Sequence, residues 1–343
     1  MENQNDLGRK LRDPDWYVHR YDPIRDAVHL IPATRQMRRQ SAFLTDEYLA
    51  KAIPEAIAAP RIAALRVIEG TTRQHFIFHS AFCCSTLLAN ALDHPGSAMT
   101  FKEPVLLNDL SGWRRRGAGA GELRDRLGDM LRLLGASTPT EACAIIKPSN
   151  VTLALAPAML TLRPDARALL LYAPLETFVA SVASKGMWGR LWVRDLWKKL
   201  AADGLCELGF ETGAAMEWTD LQVAAMGWLA QHRLFAAMAD QFGPRVVTMD
   251  SAALLANPRH AIGALSAHFA LGLSADAIRD IVDGPAFSRN AKTGERFGPA
   301  DRDAVHAAAR AANRDEVEKV AAWTRAVAQS NDMALALPRP LLG

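Results

Sequence analysis

The chain has few cysteines and no long apolar runs, and each shortage excludes a class of protein. Its 343 residues include only four cysteines, Cys83, Cys84, Cys143 and Cys206. They lack metal-ligand spacing, and an adjacent pair is a poor start for a disulfide framework. No apolar run is long enough to span a membrane, and the first ten residues contain no apolar signal segment. We therefore expect a reduced, cytoplasmic protein with no metal ion and no membrane partner.

An excess of one charge is also missing. The 40 Lys and Arg residues against 37 Asp and Glu residues give a net charge of +3, so nothing indicates a nucleic-acid partner. Only nine of the 40 basic residues are lysines, so Lys102 and Lys147 stand out at the ends of predicted strands. Half of the residues are hydrophobic, which is enough for the core of one large domain or two ordinary ones.

The most informative segment runs from His75 to Leu92. It predicts an apolar strand over 75–78, a polar loop over 79–84 and a helix that opens at Ser85 and Thr86. A strand that enters a helix through a short loop aims amide N–H groups and the positive end of the helix dipole at one point, which suits phosphate or sulfate. An ordinary helix N-cap explains these residues equally well. The loop has neither a glycine nor the Gly-Lys-Ser/Thr ending of nucleoside-triphosphatase loops.

Apolar strands alternate with helices over residues 73–273, which predicts an α/β fold with a parallel sheet. Further strands are expected just before Lys102, at 142–146, at 168–172 and just before Asp250. Residues 1–70 precede the core as an N-terminal appendage of unknown role, with a helix near 45–58 that begins at a Thr45-Asp46-Glu47 cap. A polar loop and a helix fill 285–330, so the main domain spans 71–343.

The order of these elements resembles the P-loop sulfotransferase superfamily, which transfers a sulfuryl group from 3′-phosphoadenosine 5′-phosphosulfate. The tyrosylprotein sulfotransferase branch is nearest in layout, and the resemblance covers roughly 73–273. The family loop matches residues 81–88, and further matches follow in order at Asp93-His94-Pro95, Glu103, Lys147-Pro148, 163–167 and 249–258. The resemblance implies a three-layer fold with a parallel central sheet flanked by helices, a nucleotide donor and a hydroxyl-bearing acceptor.

The resemblance also implies roles for particular residues. Glu103 corresponds to the catalytic base, and Lys147 to a lysine that contacts the sulfuryl group or the leaving oxygen. Taken alone, Glu103 is more simply an exposed carboxylate at a helix start, and Lys147 a solvated lysine at a strand end. The positions that the resemblance assigns to donor binding are Cys83, Cys84, Ser85, Thr86, Ser181, Arg289 and Lys292.

Two cations of the family pattern are missing. The loop Arg/Lys is Phe82, the loop glycine is Cys84, and the arginine that holds the 3′-phosphate falls at Ala173. Since a charge-assisted phosphate contact contributes about 1.5–3 kcal/mol, losing two weakens donor binding by roughly two to four decades unless other cations compensate. A helix N-terminus favours the thiolate of Cys83 and Cys84, but the sequence offers no paired base for a thiol nucleophile.

Three functions stay open at this point. The first is sulfuryl transfer to a hydroxyl of a small molecule, peptide or glycan. The second is non-catalytic or regulatory binding of a nucleotide or anion on a degenerate fold, which Phe82 and Ala173 favour. The third is phosphotransfer, which the missing Walker lysine disfavours. The sequence does not identify the acceptor or the oligomeric state.

Overall fold

A five-stranded parallel sheet organises the structure, a computed structural model that describes residues 2–68, 70–136, 141–211 and 213–342. The strands are β1 Tyr17–Asp22, β2 Ala27–Ile31, β3 Ile57–Pro60, β4 Arg73–His79, β5 Ala98–Lys102, β6 Cys143–Lys147, β7 Ala168–Tyr172 and β8 Val246–Asp250. The last five form the parallel sheet in the order β5-β6-β4-β7-β8, and the first three form a small antiparallel sheet in the order β1-β2-β3.

Helices fill the connections between these strands. They are α1 Glu2–Arg12, α2 Arg35–Gln40, α3 Arg61–Arg66, α4 Ser85–Leu92, α5 Val105–Arg115, α6 Ala120–Ala136, α7 Ala156–Leu162, α8 Leu175–Ser184, α9 Gly186–Ala202, α10 Asp220–Phe242, α11 Ser251–Ala256, α12 Pro258–Phe269, α13 Ala275–Asp283, α14 Pro285–Ser288, α15 Pro299–Ala312 and α16 Arg314–Ser330. Among the described residues, none of these helices is long and apolar enough to cross a membrane.

Alternate residues of the central strand β4 face opposite sides of the sheet. Phe76 and Phe78 pack in one core together with Leu127 of α6, whereas Ile77 packs in a second core together with Phe178 of α8. Burying an apolar side chain of this size contributes about 1.5–3 kcal/mol. Because helices cover both faces, the predicted α/β fold with a parallel central sheet flanked by helices is confirmed.

Residues before β4 pack on the core and reach the end of the sheet. The Leu44 N–H donates to the Lys102 carbonyl at 2.7 Å, and the Val105 N–H donates to the Leu44 carbonyl at 3.2 Å. These two backbone hydrogen bonds fix the neighbouring Phe43 beside the carboxyl end of β5. The segment of unknown role therefore borders the edge of the sheet at which parallel α/β folds bind ligands.

The helix predicted near residues 45–58 is wrong. The segment contains turns, a 3-10 helix at Ile53–Glu55 and the start of β3. The Asp46 carboxylate accepts hydrogen bonds from His19 at 2.7 Å and from Arg20 at 2.5 Å, so it is engaged by β1. Pro54 also lacks the N–H that a helix interior needs.

The C-terminal region holds more structure than the predicted loop and single helix. After α14, Arg289 and Arg296 pair as an antiparallel bridge, and the Asn290 N–H donates to the Glu295 carbonyl at 2.8 Å. This 289–296 hairpin carries Lys292. Two helices follow, α15 and α16, separated at Asn313.

Candidate functional site

The loop that follows β4 has a backbone conformation that normally requires glycine. It leaves the sheet between β6 and β7, where open α/β sheets bind ligands. Ala81, Phe82 and Cys84 have φ angles of 70°, 50° and 61°, and each left-handed non-glycine residue costs about 1–2 kcal/mol. Backbone strain of this kind persists where the surroundings enforce it, and it clusters at ligand sites.

The curled loop presents amide groups that lack partners. The Ser80 N–H donates to the Leu171 carbonyl and the Ala81 N–H donates to His79 Nδ1, both at 3.1 Å. Within the described residues, no hydrogen bond engages the amide N–H groups of Phe82, Cys83, Cys84, Thr86 and Leu87. Unpaired amides at a helix N-terminus form a ready site for an oxyanion.

The same loop lines a cavity of about 320 Å³ at the carboxyl end of the sheet. That volume is at the lower end for pockets that bind small molecules. Its other walls come from the N-terminal segment, the ends of β5 and β6, α9, the C-terminal hairpin and α15. They include Phe43, Glu103, Asn150, Trp192, Lys292 and Arg302.

Glu103 lies on the cavity wall directly after β5. Its backbone is left-handed, with φ 55°, and its N–H donates to the Lys147 carbonyl at 2.7 Å. Carboxylate Oε1 accepts from Lys147 Nζ at 2.5 Å, whereas no described residue donates to Oε2. Burial alone raises the pKa of Glu103, but the Lys147 ammonium outweighs it and holds that pKa well below its usual range. Glu103 is therefore a fixed, charged carboxylate with one oxygen available.

Lys147 is fully buried and does not line the cavity. Its ammonium contacts Glu103, lies 3.4 Å from His79 Nε2, and sits 5.3 Å from the centre of the Phe43 ring. The contact with the sulfuryl group that the resemblance implied for Lys147 stays a prediction. Lys147 acts on the cavity through Glu103, which it holds in place and in the charged form.

His79 lies between the loop and this ion pair. Its Nδ1 accepts the Ala81 N–H, so the neutral ring carries its proton on Nε2, which faces Glu103 Oε1 at 3.5 Å. Burial lowers the pKa of His79 to about 4, and the nearby Lys147 ammonium adds to the effect. His79 is therefore neutral at pH 7 and acts as a spacer that fixes the start of the loop.

Two further cations supply positive charge to the cavity. Lys292 from the hairpin and Arg302 from α15 both line the cavity, and neither forms an ion pair with a described residue. Lys292 Nζ lies 5.4 Å from the centre of the Phe43 ring, and burial lowers its pKa. Together with buried Lys147 they outnumber the single carboxylate, so the cavity favours a ligand of negative charge.

Aromatic side chains occupy the place of the missing loop cation. Phe82 contacts Phe178 and Trp192 edge-on, with ring centres 5.8 and 5.3 Å apart. Ala173, at the position of the family's 3′-phosphate arginine, is fully buried. Its carbonyl accepts the Trp228 Nε1–H at 2.8 Å. Ala173 does not line the cavity.

Two of the implied donor-binding residues lie outside the cavity. The Ser181 hydroxyl donates to the Thr177 carbonyl at 2.6 Å within α8 and does not line the cavity. Arg289 lines a neighbouring cavity of about 1150 Å³ on the other side of the hairpin, and its guanidinium faces the Gly294 carbonyl. Of these implied residues, Lys292 lines both cavities, together with its neighbours Asn290 and Ala291.

The cysteines of the loop line the cavity but are poor thiolates. Burial raises the pKa of Cys83 to about 12 and raises that of Cys84 as well. The lowered thiol pKa expected beside a helix N-terminus is wrong, because desolvation outweighs the dipole. Both residues remain next to Ser85 and Thr86 on the cavity wall, where their backbone amides are the useful groups.

Sequence reasoning did not single out Phe43, Asn150 and Arg302 as residues of the cavity wall. Phe43 and Arg302 lie far from the loop in the chain, and no local pattern marks them. Asn150 follows Lys147 in the segment after β6, so its place at a strand end was a usable signal. Trp192 lines the cavity from α9, and the spacing of the tryptophans in the sequence does indicate an aromatic stripe on a helix that is either core or a substrate wall.

No protein-family model matches the chain, and no curated protein matches it. Solved structures give distant likenesses. A sulfotransferase domain from the curacin biosynthetic pathway is 13% identical, with 78% of this chain and 99% of that chain covered and a TM-score of 0.41. A sulfotransferase domain from the Synechococcus PCC 7002 olefin synthase is 11% identical, with 78% and 98% covered and a TM-score of 0.43.

A sulfotransferase from Mycobacterium avium is 11% identical, with 71% of this chain and 77% of that chain covered and a TM-score of 0.40. All three likenesses are remote in sequence and in geometry. The activity of the chain therefore has to be judged from its own cavity.

Proposed function

We propose that the cavity binds the sulfuryl group of a phosphosulfate donor at the 80–86 loop and transfers it to a hydroxyl group of an acceptor. The observation that carries the proposal is the setting of Glu103. One of its oxygens is fixed by Lys147 at 2.5 Å, and the other is unpaired on the wall of a cavity that is also lined by unpaired amides. An acceptor hydroxyl that binds Oε2 lies beside the anion.

The reaction exchanges one S–O bond for another. The acceptor oxygen bonds to sulfur while the bond from sulfur to the phosphate oxygen of the donor breaks, and the acceptor proton passes to Glu103 Oε2 and then to solvent. Charge develops on the sulfuryl oxygens and on the leaving phosphate, as in phosphoryl transfer. In this proposal the amides of Phe82, Cys83, Cys84, Thr86 and Leu87 and the cations Lys292 and Arg302 stabilise that charge.

A carboxylate with a lowered pKa is a weak resting base, but it is sufficient for this step. An oxygen that is forming a bond to sulfur becomes strongly acidic, so its proton leaves late and needs only a fixed acceptor. Lys147 serves this purpose because it keeps Glu103 charged and restricts its rotation. The role we assign to Lys147 is thus a positioning role, in place of direct contact with the sulfuryl group.

The donor we propose is 3′-phosphoadenosine 5′-phosphosulfate, held mainly at its phosphosulfate end. Ala173 and Ser181 do not line the cavity, so we assign a 3′-phosphate to Lys292 and Arg302, the two cations that line it among the described residues. We expect the nucleotide product, adenosine 3′,5′-bisphosphate, and adenosine 5′-monophosphate to bind with Kd values within roughly tenfold of each other, because the specific phosphate contacts are missing.

Binding without turnover is the second candidate, and the Lys147–Glu103 pair favours it. A carboxylate held this firmly as a salt bridge also fits a purely structural role. The two candidates share the oxyanion site and differ only in whether the donor is consumed. One experiment with two readouts separates them.

The first readout is isothermal titration of adenosine 3′,5′-bisphosphate, with ATP and Mg²⁺ as the competing ligand. We expect saturable binding of the bisphosphate. Thr86→Val, which removes a hydroxyl from the cavity wall, should weaken it by roughly three- to tenfold. Thr161→Val is the matched control, because the Thr161 hydroxyl on α7 donates to the Pro157 carbonyl away from the cavity. Preferred binding of ATP with Mg²⁺ would favour phosphotransfer instead.

The second readout is consumption of ³⁵S-labelled donor in the presence of a panel of alcohols. Glu103→Gln should slow it by roughly 10²–10⁴-fold while bisphosphate binding persists. Binding of the bisphosphate by the wild type without any donor consumption would support the non-catalytic candidate. Absence of both binding and consumption would contradict both candidates.

A further inference from the structure

One wall of the cavity is aromatic and continues out of the cavity along α9. Trp192 stands edge-on to Phe82, and Trp188 stacks on Trp192 with ring centres 6.2 Å apart and planes 12° apart. Both tryptophans line the cavity. Stacked rings provide a flat apolar surface that begins at the oxyanion loop and leads outward.

The outer end of this wall is an exposed apolar stripe. Met187, Trp188 and Leu191 are 71%, 60% and 61% exposed, and residues three and four apart lie on one face of a helix. Single exposed apolar side chains are ordinary, but a contiguous exposed apolar patch marks a contact surface. We define Met187, Trp188, Leu191 and Trp192 as the α9 stripe.

The charged side chains of α9 around the stripe are paired with other charges: Asp195, one turn further along the same face, accepts from Lys199 at 2.5 Å. Arg190 lies 3.3 Å from Glu316, and Arg194 donates to Asp220 at 2.5 Å. The stripe therefore offers apolar contact but few hydrogen bonds. Such a surface fits a hydrocarbon or aromatic body better than a sugar or an acidic peptide.

We propose that the acceptor is an amphiphilic alcohol, whose hydroxyl lies at Glu103 and whose apolar body rests on Phe82 and the α9 stripe. The body leaves the cavity along α9, which explains why the stripe continues beyond the cavity. The product is then the sulfate monoester of an apolar alcohol. This inference rests on the proposed function in placing the hydroxyl, and later its sulfate, beside the loop.

Sulfate monoesters that resemble the product test which group the protein prefers next to the sulfate, because the sulfate itself is the same in all of them. Octyl sulfate, ethyl sulfate and glucose 6-sulfate are titrated into the protein below the micellar concentration, with inorganic sulfate for the head alone. We expect octyl sulfate to bind at one site and at least roughly tenfold tighter than ethyl sulfate or glucose 6-sulfate, because several methylene groups leave water. Equal affinities for octyl sulfate and glucose 6-sulfate would overturn the proposal.

Variants of the α9 stripe test whether the apolar part of the ligand binds there. Trp188→Ala and Met187→Ala should each weaken octyl sulfate by roughly three- to tenfold and change ethyl sulfate by less than twofold. Met216→Ala is the matched control, because Met216 is 84% exposed and lies outside the cavity. An octyl sulfate preference that survives both stripe variants would refute the inference.

Uncharged 1-octanol separates this inference from the proposed function. If 1-octanol binds in a manner that depends on Trp188 while inorganic sulfate and the bisphosphate do not bind, the apolar body is supported and the sulfuryl-transfer proposal fails. If the bisphosphate binds but neither octyl sulfate nor 1-octanol depends on the stripe, the proposed function stands and the amphiphilic acceptor is wrong.

Discussion

Removing one partner of the Lys147–Glu103 pair should lower the free energy of unfolding more than removing both partners together. Lys147 is 0% exposed and the Glu103 side chain is 16% exposed, with the two charged atoms 2.5 Å apart. At this distance and an effective dielectric constant of ~20, the attraction is about 6–7 kcal/mol. Desolvation of the two ions costs several kcal/mol each, so the intact pair is close to neutral for stability.

In the single variants, the charge that remains loses its partner, and the free energy of unfolding should fall. Glu103→Gln leaves the Lys147 ammonium buried without a counter-charge and should lower the free energy of unfolding by about 3–5 kcal/mol. Lys147→Met should cost less, about 2–3 kcal/mol, because Glu103 retains some exposure and the field of Lys292. The double variant should cost about 1–2 kcal/mol, which gives a coupling energy of several kcal/mol.

Urea unfolding of the four proteins at pH 7.5 measures this coupling. The matched control is the exposed pair Lys199–Asp195 on α9, which has the same separation of 2.5 Å and should couple by only about 0.3–0.5 kcal/mol. If Lys147→Met and Glu103→Gln add within about 0.5 kcal/mol, the pair is not coupled, and the assigned positioning role of Lys147 is wrong.

Three further outcomes concern buried groups. Burial holds the pKa of His75 and His79 at about 4 and that of His232 at about 3, whereas an unfolded histidine titrates near pH 6.5. Because the unfolded chain then binds more protons, the free energy of unfolding should fall between pH 6.5 and pH 4 by on the order of 1 kcal/mol per pH unit for each histidine. Urea unfolding of His232→Phe should show a slope smaller by on the order of 1 kcal/mol per pH unit. Phe82→Arg should tighten the bisphosphate roughly tenfold in a calorimetric titration, because it adds a charge-assisted contact at the loop. The Cys83 thiol, whose pKa burial raises to about 12, should resist iodoacetamide at pH 7.5 until the protein unfolds, as mass spectrometry will show.

Each of these three predictions would be contradicted by a specific result. A free energy of unfolding that is flat between pH 6.5 and pH 4 would mean that the histidines are protonated in the folded protein. Unchanged bisphosphate affinity in Phe82→Arg would place the anion away from residue 82. Rapid alkylation of native Cys83 would show that the loop opens to solvent.

The strand-loop-helix unit was predictable because its signals are local. The apolar run before His79 and the hydroxyls at Ser85 and Thr86 fix a buried strand and a helix start within a few residues. The left-handed conformation of Cys84 was not predictable, because a residue with a Cβ avoids it unless the rest of the fold enforces it. Here tertiary structure overrides local preference.

The cavity walls were harder to predict because they come from distant parts of the chain. Lys147 and Glu103 were identified from the order of the motifs along the chain. Only the folded structure shows that Lys147 is buried next to Glu103 and does not line the cavity. The resemblance assigned Ser181 to donor binding, but the Ser181 hydroxyl donates to the Thr177 carbonyl within α8. Phe43 and Arg302 reach the cavity through packing that no local sequence pattern records.

The central claim is that the amides after β4 hold an oxyanion, and amide resonances report on it directly. Adenosine 3′,5′-bisphosphate is titrated into deuterated, ¹⁵N-labelled protein while the backbone amide signals are followed. We expect the amide protons of Cys83, Cys84 and Thr86 to move downfield together with one Kd, since each gains a hydrogen bond to a charged oxygen. Saturable binding that leaves these three signals in place and shifts amides elsewhere would contradict the account.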